Sequence, residues 1–157
     1  MRPARRPPQK KIVKRPLQPG PNNSASRDAP ERKDRAVIYT TVTDRRGVRI
    51  IKLLADQIMF HNYDQVFKKV KNAISEDDNL IVLDMEKVTF MDSISMGMMV
   101  PLLLYTRRVG GELVVTGLCD DIKALFAMLR LDNIIQIKSS VAEAVTLLKA
   151  MEGAPDE

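Results

Sequence analysis

From residue 36 onward the apolar residues of this chain alternate between two rhythms. Short runs rich in β-branched and aliphatic residues occur at 37–42, 48–54, 80–83, 112–116 and 134–137, and each reads as a strand. Between them, apolar residues spaced by three and four predict helices. One covers 61–74 and turns Val66, Phe67, Val70 and Ile74 to one side. A second opens at Asp92-Ser93 and buries Ile94, Met98, Met99, Leu102 and Leu103. A third is opened by Asp120 and Asp121 and carries Ile122, Leu125, Phe126 and Leu129. The last is capped by Ser139 or Ser140, with Val141, Ala144, Val145 and Leu148 on one face.

The turn signals agree with this division. Asp44-Arg45-Arg46-Gly47 makes the first two strands a hairpin. The run 80–83 is apolar at consecutive positions, as in a strand covered on both faces. Pro101 predicts a bend, since its missing N–H would have bonded the Gly97 carbonyl. Gly110-Gly111 is a helix stop. Alternating strands and helices predict an α/β fold: one domain over 36–152, a mixed, mainly parallel sheet of about five strands beginning with a hairpin, and about four helices.

Residues 1–35 break both rhythms. Seven of the nine prolines lie there. Residues 1–36 carry 11 Lys or Arg against 3 Asp or Glu, a balance of +8, while residues 37–157 carry 14 against 17, a balance of −3. Proline removes backbone donors, and like charges repel, so a disordered basic tail is expected. It reads either as a tail that only solubilises or spaces the domain or as a basic arm for a membrane surface or an acidic partner. It contains no aromatic residue on which a base could stack, so nucleic acid is not the expected partner. Residues 153–157 are expected to fray.

The chemistry available is narrow. Cys119 is the only cysteine, which excludes an internal disulfide and fits a reducing cytoplasm; Asp120 and Asp121 beside it oppose a thiolate. His61 is the only histidine, so no Ser-His-Asp relay or histidine pair for a metal exists. No Gly-Lys-Ser/Thr follows the glycine pair. No enzyme, cofactor or metal site is predicted. What remains is Asp92-Ser93 at a helix start, where backbone N–H groups lack partners. Ser93 there reads either as a phosphoacceptor or as a plain N-cap.

The run VTFMDSISMG resembles the signature of the STAS domain (sulfate transporter and anti-sigma factor antagonist), in its anti-sigma factor antagonist form. GGELVVTGLCDDIKALFAMLRLDNIIQI resembles the second half of that domain, and the likeness spans 37–151. Ser95 stands where the family often has glycine, Met96 replaces an aliphatic residue, and Ala55 lies where a glycine is common. The resemblance implies a STAS-like fold and a protein that is phosphorylated rather than one that phosphorylates. It implies Ser93 as the phosphosite, with Ser95 a second candidate and Asp92 a recognition element. The implied partner surface comprises Asp92, Ser93, Ile94, Ser95, Met96 and Gly97, the loop with Asp56, Ile58 and Met59, and the helix start at Asp120 and Asp121. The implied partner is an anti-sigma factor serine kinase, bound when Ser93 is unphosphorylated, with a phosphatase to reverse the modification. The alternative is a constitutive STAS scaffold or transporter-associated subunit docked through the basic tail. The chain is expected to be a monomer or a weak dimer.

Overall fold

The computed structural model describes residues 39–153, together with Pro3. The rest of the predicted tail, and residues 154–157 of the predicted frayed end, lie outside the described residues.

Strand β1 (Thr40–Arg45) runs antiparallel to β2 (Val48–Leu53), as the hairpin pattern predicts. The turn is only Arg46-Gly47, both at positive φ (56° and 80°), a two-residue geometry whose twist matches the strands. The predicted turn at 44–47 is therefore too long. Asp44 and Arg45 belong to the strand because Arg49, directly opposite Asp44, donates to its carboxylate at 2.9 and 3.2 Å. Those bonds hold the Asp44 carboxyl below its usual range.

Three strands continue the sheet from β2 in parallel, in the order β1-β2-β4-β6-β7, with β4 at Leu80–Asp84, β6 at Glu112–Thr116 and β7 at Gln136–Lys138. Successive residues of β4 point to opposite faces, and both faces are covered. Ile81 and Leu83 enter the larger core under helices α1 (Tyr63–Asn72), α3 (Met99–Arg108) and α4 (Asp120–Met128). Val82 joins Val48, Val114, Ala144, Val145 and Leu148 beneath α5 (Val141–Glu152) on the other face. This is the strand buried on both sides that its uninterrupted apolar run requires. Ser140 caps α5 by accepting from Glu143 N–H at 3.2 Å.

The helix predicted to bend at Pro101 is divided further upstream. Helix α2 (Ser93–Met96) ends at Gly97, and α3 starts at Met99. Between them the N–H groups of Gly97 and Met98 donate three residues back, to Ile94 and Ser95 at 3.1 Å, a one-turn tightening. The interruption puts Pro101 in the first turn of α3, where a backbone donor has no intrahelical acceptor to lose. Helix α3 then stops as its glycines predict. Gly110 has φ +89°, its N–H bonds Arg107 O at 3.0 Å, and Gly111 N–H bonds Thr106 O at 2.9 Å. Gly111 also passes so close to β4 that a Cβ would lie 1.9 Å from the Asn79 carbonyl oxygen.

Candidate functional site

A second, very short sheet builds the site. β3 (Gln57–Ile58) and β5 (Phe90–Met91) pair in parallel, Gln57 with Phe90 and Ile58 with Met91. The Asp56 carbonyl accepts from Thr89 N–H at 2.7 Å and from its hydroxyl at 3.1 Å. Two residues per strand leave no periodicity to read in the sequence. Their pairing is nevertheless what sets the 56–59 loop beside Asp92. Asn62 closes the loop, accepting from Met59 N–H at 2.7 Å and donating to the Gln57 carbonyl at 3.0 Å.

Asp92 is the N-cap of α2, with extended backbone (φ −82°, ψ 167°). Its Oδ1 accepts from Ser95 N–H at 2.7 Å and from the Ser95 hydroxyl at 2.5 Å, while Oδ2 accepts from Phe60 N–H at 2.8 Å. One carboxylate thus ties the helix start to the neighbouring loop. Its partial burial raises the pKa, but the Ser95 bonds, the Phe60 bond and the nearby His61 outweigh that, and the net effect is a lowered pKa. Asp92 is therefore an anion at neutral pH, with its charge spent inward on three donors.

The cap fixes the phase of the helix. Ser95, at the third helical position, turns inward and is fully buried. Ile94 turns outward and is 61 % exposed, which overturns its predicted burial. Ser93 is the first helical residue, exposed, with Asp92 rather than Ser93 acting as the cap. The plain N-cap reading of Ser93 is thereby corrected. Ser95 as a second phosphoacceptor also conflicts with the structure, since its hydroxyl is buried and already donates to Asp92.

The predicted partner surface is brought together in part. Asp56 and Gly97 are exposed, and Met59 is half-buried. Ile58 and Met96 belong to the core and present no surface, a correction in both cases: Ile58 packs inward from β3, and Met96 sits one residue beyond the inward-facing Ser95. Asp120 and Asp121 are exposed on the first turn of α4. That turn approaches the site through Cys119, whose Sγ donates to the Thr89 carbonyl at 3.7 Å. Sequence reasoning missed two residues. Phe60 is 60 % exposed, stacks edge-on against His61 with ring centroids 5.5 Å apart, and holds Asp92 through its backbone. Phe90, also exposed, precedes Met91 on β5. The available signal was an aromatic residue outside any predicted core face. Phe60, Phe90 and Ile94 are large apolar residues left exposed on the loop, strand and helix that adjoin Asp92, the composition of a contact surface.

The fold has known counterparts. Residues 39–144 match the family model described as the STAS domain. An anti-sigma factor antagonist from Mycobacterium paratuberculosis superposes with a TM-score of 0.62 at 17 % identity, over 71 % of this chain and 94 % of that one. The Bacillus cell fate determinant SpoIIAA, in its phosphorylated form, superposes with a TM-score of 0.52 at 19 % identity, over 69 % and 97 %. A sulfate transporter family protein from Wolinella succinogenes gives 0.60 at 17 % identity, over 71 % and 93 %. At these identities the likeness is one of fold. Among the described residues, no helix is long and apolar enough to cross a membrane.

Proposed function

The chain belongs to the STAS domain family, and we propose that within it the chain acts as an anti-sigma factor antagonist switched by phosphorylation of Ser93. The observation that carries this reading is the division of labour at the start of α2. Asp92 and Ser95 bond each other and are committed to structure, while Ser93 between them is exposed and outside those bonds. A kinase can reach Ser93 without unfolding the helix, and modifying it leaves the Asp92 bonds in place.

The unphosphorylated chain binds an anti-sigma factor serine kinase through Ser93, Ile94, Phe60 and Phe90, and so frees a sigma factor in the cytoplasm. The kinase supplies the ATP chemistry; this chain is substrate and switch. A phosphate adds about −1.5 to −2 charges beside the apolar contacts Ile94, Phe60 and Phe90. Burying that dianion against the partner costs far more than burying a neutral hydroxyl. The fold tolerates it, because the first turn of a helix is where an anion is least unfavourable. A phosphatase restores the binding form.

Calorimetric titration of the anti-sigma serine kinase from the same cells with Ser93→Ala and Ser93→Asp tests the switch. The alanine variant should bind as the unmodified chain does, and the aspartate variant at least about tenfold more weakly, a loss of ~1.4 kcal/mol. Equal affinities would sink the mechanism. A second reading draws on the likeness to a sulfate transporter family protein. There the domain is a constitutive scaffold or transporter-associated subunit docked through its basic tail. It requires indifference to Ser93 substitution and salt-sensitive binding of anionic vesicles that is lost when residues 1–35 are removed.

A further inference from the structure

β1 is an edge of the five-stranded sheet, and among the described residues it pairs only with β2. The two-residue turn makes Arg45 and Val48 a hydrogen-bonded pair, and at the other end Leu54 N–H donates to the Tyr39 carbonyl at 2.9 Å. By the alternation of an antiparallel ladder, Tyr39, Thr41, Thr43 and Arg45 direct their backbone groups toward β2. Thr40, Val42 and Asp44 direct theirs outward. Edges of this kind are commonly blunted by lysine, proline or a bulge. The sequence TTVTDR contains neither lysine nor proline, its two charged residues, Asp44 and Arg45, stand together at the turn end, and its pairing with β2 runs without a bulge. Tyr39 and Val42 are large apolar residues exposed along the same edge.

We propose that β1 is a self-association edge, and that two copies of this chain pair their β1 strands antiparallel about a two-fold axis through Val42. In that register the outward backbone groups of Val42 bond those of Val42 in the second copy. Those of Thr40 bond those of Asp44, so no outward group of the three residues is left over. The side chains match as well. On the face shared with Ile51, Val42 meets Val42, and the Thr40 hydroxyl meets the Asp44 carboxylate. On the other face Thr41 opposes Thr43, and the Arg45 guanidinium opposes the Tyr39 ring. No like charges face each other. Moving the axis two residues toward the turn would set Asp44 against Asp44, a repulsive pair that disfavours that register. The axis stands perpendicular to the sheet, and both copies therefore display Ser93 on the same side. A single strand edge buries less than the roughly 1,600 Å² of a standard interface, so association is weak and concentration-dependent.

Sedimentation equilibrium of the full chain from about 10 µM to 0.5 mM, a range suited to such weak affinity, reads the proposal. The mass should rise from the 17.7 kDa monomer toward the dimer. Val42→Lys sets two ammonium groups together at the axis. Val42→Pro removes an outward N–H and no β1–β2 bond. Each should weaken association at least tenfold with an unchanged circular dichroism spectrum. In a Cys119→Ser background, Val42→Cys should oxidise to a disulfide-linked dimer, while Leu104→Cys, exposed on α3, should not. A chain that stays monomeric over the whole range overturns the proposal, including the case in which its own first residues occupy the edge. So does a dimer that persists in both Val42 variants.

Discussion

Replacing Asp92 by alanine should cost the domain about 2–4 kcal/mol, although Asp92 lies at the surface end of a four-residue helix. Two parts make up that figure. Losing a carboxylate N-cap costs about 1 kcal/mol. The second part is the Ser95 hydroxyl, which is fully buried and has Asp92 Oδ1 as its acceptor at 2.5 Å. A buried hydroxyl left without its partner costs about 1–3 kcal/mol. The third donor, Phe60 N–H, belongs to an exposed residue that water can reach, and it adds little to the total. Urea denaturation followed by circular dichroism measures the loss. With a slope of about 2 kcal/mol/M for a domain of this size, the midpoint should fall by about 1–2 M. The double variant Asp92→Ala/Ser95→Ala isolates the second part, since without the hydroxyl no orphan remains. It should cost less than the sum of the single changes by about 1 kcal/mol or more. Additive costs, or an Asp92→Ala variant within 0.5 kcal/mol of the parent, a margin typical of surface substitutions, would refute this account of the site.

Three further expectations follow from the same geometry. The lowered pKa of Asp92 means that its ionised form contributes stability above the ordinary carboxylate range, lost as pH falls through its depressed folded value. The stability gap between the parent and Asp92→Asn should therefore close on acidification below about pH 4; a gap independent of pH would contradict the assignment. Pro101→Ala should change stability by less than about 1 kcal/mol, because Pro101 sits in a first turn, whereas a gain near 3 kcal/mol would show a strained continuous helix. Thr116 Oγ1 is buried and has no hydrogen-bond partner among the described residues, so Thr116→Val, which keeps the shape, should raise stability by about 1 kcal/mol in the same urea assay.

The alternation of strand and helix was legible because burial dictates it. Ile81 through Leu83 are apolar on both faces since two layers of helices cover the sheet. A cap at Ser139 or Ser140 and the stop at Gly110-Gly111 were legible for local reasons: orphaned N–H groups need an acceptor, which Ser140 supplies, and positive φ needs glycine. Within α2, hydrophobic spacing alone turns Ile94 inward and leaves Ser95 available as a second phosphoacceptor. A four-residue helix has too little apolar surface to set its own phase. The Asp92 cap sets it, with Ser95 at the position where a cap's partner belongs. The β3–β5 pair is invisible because two residues carry no alternation, so no pattern opposes the surface position that the family resemblance implies for Ile58, which lies in the core. The split at Gly97 escaped notice because the apolar spacing continues across it.

The most direct test of the central claim is site-localised mass spectrometry of this protein isolated from its own cells under several growth conditions. The account predicts a single phosphate on Ser93, with an occupancy that changes with condition, and none on the buried Ser95. A chain unmodified at Ser93 in every condition, or one phosphorylated on Ser95 instead, would contradict it.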